Sequence, residues 1–195
     1  MVGDHGVVVV VGASAGGVQA PRILVADLPG ELPAAVLVVL HQPAGVRSAL
    51  PQILARAGPL TASHAVHAQS LIVGHLAIAP QDQHLLVLQD TIVLSDGPKE
   101  HQHRPAVDPL FRSAACWHGS RVIGVVLSGG LNDGAAGAAA VALGGGVVVV
   151  QDPHDALHPS MPRATLAAVP DARVVPAAEL GALITQLVAG AAYRG

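Results

Sequence analysis

Charged and aromatic residues are scarce in this chain of 195 residues. Asp, Glu, Lys and Arg together make up 12% of it, the aromatic residues 2%, and the formal net charge is −3. The ten Lys and Arg residues are scattered, and binding to phosphate backbones needs them clustered, so the composition argues against a nucleic-acid partner. With so few aromatic residues, the core must be built from small aliphatic side chains.

The chain also lacks the features of exported and membrane proteins. Cys116 is its single cysteine, so an intrachain disulfide is excluded, as is usual in a reducing compartment. The apolar runs stop short of the roughly 18–20 residues that a membrane helix needs. Residues 1–5 contain no basic region or signal-peptide cleavage pattern. We therefore expect a cytoplasmic protein without membrane insertion.

Motifs of metal binding are missing, although the chain has eleven histidines. No H-E-x-x-H motif is present, and no set of cysteines accompanies the histidines. Most of the histidines fall in loops and turns, where we expect them to be solvated. The histidine spacing therefore does not predict a metal centre.

The chain does contain a repeated alternation of apolar strands and helices. Unbroken apolar runs are typical of strands that are buried on both faces of a parallel sheet. Such runs cover residues 7–11, 34–40, 122–127 and 147–151. We predict a single α/β domain over residues 1–195, with a doubly wound, mainly parallel sheet and helices on both faces. Short runs around Gln89-Asp90 predict an antiparallel hairpin at one edge of this sheet.

The first predicted strand leads directly into Gly12-Ala13-Ser14-Ala15-Gly16, a G-x-S-x-G pattern. A serine on a sharp strand-to-helix turn exposes its hydroxyl at the carboxyl end of a sheet, where helix N–H groups converge. The pattern suits a nucleophile, and it also suits the phosphate-binding loop of a nucleotide-binding domain. Against the second interpretation, His41 stands at the end of the next strand, where a dinucleotide-binding fold carries an acidic residue.

Two other strand ends carry the groups that a nucleophilic serine needs. His41 follows the second strand, and Asp133 follows the strand over 122–127. Imidazole accepts a serine proton near neutral pH, and a carboxylate fixes the tautomer of the imidazole. Because parallel strands end at the same edge of a sheet, we predict that Ser14, His41 and Asp133 form a catalytic triad. The order Ser, His, Asp differs from the Ser, Asp, His order of α/β-hydrolases and disfavours that fold.

Six motifs, spread over roughly residues 7–190, together resemble the catalytic domain of a known family, the bacterial chemotaxis protein-glutamate methylesterases, CheB. They occur in the order found in that family. The motifs are Gly12-Ala13-Ser14-Ala15-Gly16-Gly17, His41-Gln42-Pro43, residues 79–84, residues 104–111, residues 127–137 without 130 and 131, and Ser160-Met161-Pro162-Arg163.

The resemblance implies a serine esterase that removes γ-methyl esters from glutamate side chains of chemoreceptors and also deamidates certain glutamines. It implies Ser14 as the nucleophile, His41 as general base and acid, Asp133 as the orienting carboxylate, and no cofactor. A methylated chemoreceptor is the implied partner. The backbone N–H of Ala15 and one from the 129–131 loop, at Gly130 or Leu131, are the candidates for the oxyanion hole. Met161 is a candidate for lining the pocket.

The chain departs from the family pattern in three places. The family usually reads Gly-Met-Gly where this chain has Gly129-Gly130-Leu131, and it commonly has threonine in place of Ala15. Family members carry an N-terminal receiver domain, whereas here the first catalytic strand begins almost at once. We expect either ungated activity or control by a separate regulatory protein. The departures also leave open a CheB-like binding or signalling module that has lost turnover.

Overall fold

The computed structural model describes residues 6–14, 18–41 and 48–192. Its strands are β1 Val7–Ala13, β2 Ala34–Leu40, β3 Thr61–His64, β4 His75–Ile78, β5 His84–Leu88, β6 Thr91–Ser95, β7 Val122–Val126, β8 Val147–Gln151 and β9 Arg173–Val175. Its helices are α1 Gln19–Ala26, α2 Leu50–Ala55, α3 Val107–His118, α4 Ala135–Leu143, α5 Ser160–Ala168 and α6 Leu180–Ala192, with 3-10 turns at Gly119–Arg121 and Ala177–Glu179.

The predicted doubly wound α/β fold is confirmed. Within the described residues, seven strands form one sheet in the order β3-β4-β2-β1-β7-β8-β9, and every neighbouring pair is parallel. The sheet therefore includes two short strands, β3 and β4, that the sequence did not distinguish from the hairpin strands. Each has only four residues, too few to show the long apolar run of a central parallel strand.

The hairpin is present, but its placement differs from the expectation. β5 and β6 pair with each other in a separate two-stranded sheet and do not extend the edge of the large one. Leu85, Val87 and Ile92 of the hairpin are buried in the same core layer as Leu110 and Phe111 of α3. Burial of these side chains against a helix thus takes the place of edge pairing.

Successive valines of β1 point into two different core layers. Val9 and Val11 pack with residues of α1 and α6, whereas Val8 and Val10 pack with α3 and the hairpin. All four are essentially inaccessible to solvent. Because both faces of β1 are covered, an unbroken valine run is stable there, and its burial removes a large apolar area from water.

The strand order reverses direction at β1. From β1 the chain extends the sheet on one side through β2, and it later extends the other side through β7. The carboxyl ends of β1 and β7 consequently lie at the switch point of the sheet, which is the usual position of a binding site in open α/β sheets. Among the described residues, no helix has the length and apolar character needed to cross a membrane.

Candidate active site

Ser14 and His41 emerge side by side from neighbouring strands. Ala13 of β1 is in register with Leu40 of β2, so the next residue on each strand is one of the two predicted catalytic residues. The backbone N–H of His41 donates to the carbonyl oxygen of Ala13 at 3.1 Å. On the other side, the N–H of Ser14 donates to the carbonyl oxygen of Ser128, just after β7, at 3.2 Å. Backbone pairing on both sides therefore fixes where Ser14 lies.

His41 forms a short hydrogen bond with Asp133. Its Nε2 lies 2.7 Å from Asp133 Oδ2, and the two side chains are only 2% and 1% exposed. A carboxylate accepts, so Nε2 carries the proton, and Nδ1 of the neutral ring is then an acceptor. His41 Nδ1 is buried and has no hydrogen-bond partner among the described residues. The arrangement leaves a basic nitrogen available for a hydroxyl proton.

The carboxylate of Asp133 lies at the N-terminus of α3. Oδ2 accepts the N–H of Val107 at 2.7 Å, and Oδ1 accepts the N–H of Asp108 at 2.9 Å. Burial alone would raise the pKa of Asp133, but the hydrogen bonds from His41 and from these two backbone groups lower it below the ordinary 3.8. Asp133 is thus held ionised, as a carboxylate that orients an imidazole needs to be.

A second buried carboxylate, Asp108, adjoins the first. Asp108 Oδ1 accepts the N–H of Gly137 in the first turn of α4, and Oδ2 lies 2.8 Å from His101 Nε2. The nearest polar atoms of His101, Asp108 and Asp133 lie within 4.8 Å of one another, a spacing that a cation can bridge. All four carboxylate oxygens already accept a hydrogen bond. Hydrogen bonds therefore explain why His101, Asp108 and Asp133 lie close together, without a bound cation.

Two histidines of the loop before α3 reach the site, whereas most histidines in loops were expected to be solvated. His101 contacts Asp108, and the ring of His103 is stacked on His41, with 3.8 Å between centroids and 12° between planes. Burial, together with the nearby His41, lowers the pKa of His103 below the ordinary 6.5. No local pattern in the sequence indicated this placement; the loop reaches the site because it leads directly into α3, whose N-terminus binds Asp133.

The loop after β7 closes the other side of the site. The N–H of Gly129 donates to His158 O, and its carbonyl accepts the N–H of Met161, both at 2.9 Å. Since its N–H is bound in this way, Gly129 cannot donate to an oxyanion, and Gly130 and Leu131 stay the candidates in this loop. Gly130 faces open space, and Leu131 is 62% exposed with φ +61°. Met161 is fully buried beside Gly129, a position that favours support of the loop over contact with substrate.

Ala15 and Arg104, the first residue of the motif over 104–111, are placed as follows. Ala15, the other oxyanion candidate, lies outside the described residues. Arg104, in the loop before α3, donates to the Asp82 carboxylate and to the carbonyl oxygens of Asp96 and Gly97. Its guanidinium is thus bound within the protein, and we assign it a structural role.

Comparison with known proteins identifies the family. The model of the family described as CheB methylesterase matches residues 9–184. The chain belongs to this family. Among solved structures, it is similar to the CheB methylesterase catalytic domain of Thermotoga maritima, with a TM-score of 0.88, 31% identity, and coverage of 93% of this chain and 98% of that one. The family assignment favours the nucleophile interpretation of Ser14 over a phosphate-binding loop.

Curated relatives carry two activities in their names. A protein-glutamate methylesterase/protein-glutamine glutaminase 3 of Burkholderia lata is 37% identical over 176 residues, covering 88% of this chain and 48% of that protein. A protein-glutamate methylesterase/protein-glutamine glutaminase 2 of Methanosarcina mazei is 39% identical, with 80% and 44% covered. The chain therefore spans about half the length of these relatives.

Proposed function

We propose that this CheB-family chain is a serine hydrolase that removes γ-methyl esters from glutamate side chains of chemoreceptors. The observation that carries the proposal is the meeting of three strand ends: Ser14 and His41 follow register partners, and His41 Nε2 lies 2.7 Å from Asp133 Oδ2. The names of the relatives support both the ester substrate and a second activity, deamidation of glutamine. The two substrates share a carbonyl at the same distance from the backbone.

The proposed reaction proceeds in two steps. Ser14 Oγ attacks the ester carbonyl carbon while His41 Nδ1 takes the hydroxyl proton, and Asp133 stabilises the imidazolium. The proton then passes to the methoxy oxygen, methanol leaves, and an acyl-serine remains. Water attacks this intermediate with His41 again as the base, which releases glutamate and restores the Ser14 hydroxyl. Backbone N–H groups of Ala15 and of Gly130 or Leu131 are assigned to the negative oxygen of each tetrahedral intermediate.

Release of methanol from methyl-esterified receptor helices tests the proposal. We expect the native chain to release methanol and Ser14→Ala to release none above background, because the acyl-serine can no longer form. Exposed Ser70, which lies outside the site, supplies the matched control Ser70→Ala. Full activity of Ser14→Ala would contradict the proposal.

The altered residues Gly130 and Leu131 favour one alternative, a CheB-like module that binds receptor without turnover. A fluorophosphonate probe separates the two, because it reacts with an activated serine whatever the natural substrate is. Labelling of Ser14 supports the hydrolase. A folded protein that binds methylated receptor helices but is neither labelled nor active supports the module.

A further inference from the structure

The stacking of His103 on His41 has a role that a hydrogen bond to Asp133 cannot supply. That bond restrains Nε2 of His41, but it restrains rotation about the Cβ–Cγ bond only weakly, because Nε2 lies close to this axis. The energy profile of this torsion is broad in histidine. Since Nδ1 lies farther from the axis, rotation about Cβ–Cγ displaces Nδ1 more than Nε2. A second restraint is needed to aim Nδ1, and a parallel ring 3.8 Å away provides it.

His103 is carried on a turn that is built to hold it. The N–H and carbonyl groups of Glu100 and His103 bond to each other in both directions, at 3.1 and 2.8 Å, which closes a two-residue turn. Its central residues, His101 and Gln102, have φ of +50° and +66°. Positive φ at both positions is the pattern of a type I′ turn, in which asparagine and glycine are preferred. We call residues 100–103 the histidine turn.

The histidine turn is anchored at both ends. The Glu100 carboxylate accepts two hydrogen bonds from Arg112 of α3, at 2.7 and 2.9 Å. On its other side, Arg104 is bound to the carboxylate of Asp82 and to two backbone carbonyls. A backbone conformation that ordinary residues rarely adopt persists when the surroundings over-determine it, and such segments cluster at functional sites.

We propose that His103 is a positioning residue of the hydrolase, and that its ring sets the plane of His41 so that Nδ1 faces the nucleophile. This inference rests on the proposed function of Ser14. A neutral ring suits the role, because a charged one would repel the imidazolium that forms on His41. Burial, which lowers the pKa of His103, keeps the ring neutral near neutral pH.

Two substitutions distinguish the effect of the flat ring of His103 from the effect of its nitrogen atoms. His103→Leu removes the flat ring at similar bulk, and His103→Phe keeps a flat ring without the nitrogens. His154→Leu, at an exposed histidine after β8, is the matched control. The probe is a fluorophosphonate: the Ser14 Oγ–phosphorus bond forms, fluoride leaves, and His41 takes the hydroxyl proton. If His103→Leu does not fold, His103→Asn takes its place.

We expect His103→Leu to lower the rate of Ser14 labelling at saturating probe by about tenfold or more, since misplacement of a reacting group costs that much. The probe concentration for half-maximal rate should not change. His103→Phe should restore most of the rate, and His154→Leu should react like the native chain. Equal rates for His103→Leu and the native chain would overturn the proposal, and so would a His103→Phe rate as low as that of His103→Leu.

Nitrogen-15 NMR of the His41 ring gives a readout that needs neither substrate nor a reactive serine. The native chain should show a single tautomer protonated at Nε2, and His103→Leu should show averaged tautomers or a changed ring environment. An unchanged His41 spectrum in His103→Leu would overturn the proposal. If the native chain is not labelled but His41 responds to His103→Leu, the positioning of His41 is supported and the proposed hydrolase is contradicted.

Discussion

Asp133 and Asp108 connect the N-termini of α3 and α4. Asp133, just before α4, accepts the first two N–H groups of α3, while Asp108, in the first turn of α3, accepts the N–H of Gly137 in α4. Each carboxylate satisfies donors that a helix leaves unpaired and lies where the helix dipole favours negative charge. The proposed catalytic role of Asp133 is therefore linked to the capping of two helices by this pair of side chains.

The first prediction concerns Asp108→Ala. This change leaves the Gly137 N–H buried without its acceptor and removes the partner of His101. We expect the free energy of unfolding to fall by about 2–3 kcal/mol, the usual cost of losing hydrogen bonds to a buried charged group. Urea unfolding measures it, with Asp171→Ala at an exposed position as the control. A loss no larger than that of the control would contradict the capping role.

The second prediction concerns the pH dependence of stability. The pKa of Asp133 is lower in the folded chain than its ordinary 3.8, because hydrogen bonds from His41, Val107 and Asp108 outweigh the effect of burial. A lowered pKa gives stability that is present above 3.8 and lost as pH falls through the lowered value. Asp133→Asn should be less stable than the native chain near neutral pH.

The difference between Asp133→Asn and the native chain should narrow as the pH falls below 3.8. Urea unfolding at a series of pH values checks this trend. The variant Asp171→Asn, at an exposed carboxyl, should differ little from the native chain throughout. A constant gap between Asp133→Asn and the native chain at all pH values would show that ionisation of Asp133 does not stabilise the fold.

The third prediction compares two adjacent glycines. A Cβ on Gly129 would overlap Met161 Sδ and lie 2.8 Å from Ser14 Cβ, whereas a Cβ on Gly130 meets nothing within 4 Å. Gly129→Ala should therefore lose about 1–3 kcal/mol of stability through overpacking. It should also slow fluorophosphonate labelling of Ser14, since the clash displaces the nucleophile.

Gly130→Ala is the matched variant for packing. We expect its free energy of unfolding to stay within about 0.5 kcal/mol of the native value, as for surface changes generally. Thermal or urea unfolding of Gly129→Ala and Gly130→Ala in parallel measures the difference in their free energies of unfolding. If both alanines destabilise the chain equally, the close approach of Gly129 to Met161 and Ser14 is not what constrains the loop.

The sequence allowed the three candidate catalytic residues to be predicted for one reason. Ser14, His41 and Asp133 each follow an apolar run, and the ends of parallel strands meet at one edge. His101 and His103 reach the same site by another route, a two-residue turn with positive φ at His101 and Gln102. His101 and Gln102 are not residues that typically occupy the central positions of such a turn, so local propensity did not predict it. Only the anchoring of Glu100 and Arg104 in three dimensions places the turn.

The strand boundaries show the same division. β8 covers the predicted range 147–151, and Gly144-Gly145-Gly146 mark its start in the sequence. The membership of the short strands β3 and β4 in the parallel sheet was not predicted. Four-residue strands are paired by long-range contacts that no local pattern encodes.

The fourth prediction concerns Leu131, at the position where the family usually has glycine. Leu131 adopts φ +61°, a left-handed conformation that is costly for a side chain with a Cβ, and it is 62% exposed. Removing the Cβ relieves a strain of about 1–2 kcal/mol. Glycine loses more conformational freedom on folding, which offsets roughly 0.5–1 kcal/mol of this gain. Leu131→Gly should therefore raise the free energy of unfolding by about 0.5–1 kcal/mol.

Leu157→Gly is the control for Leu131→Gly, because Leu157 is also exposed, at 72%, on a neighbouring loop without positive φ. There glycine relieves no strain, so this variant should be neutral or destabilised. Urea unfolding of the two variants measures the difference. If Leu131→Gly is stabilised while Ser14 labelling is unchanged, the leucine is not needed to activate the nucleophile. If Leu131→Gly is destabilised as much as Leu157→Gly, the left-handed backbone at Leu131 carries no cost.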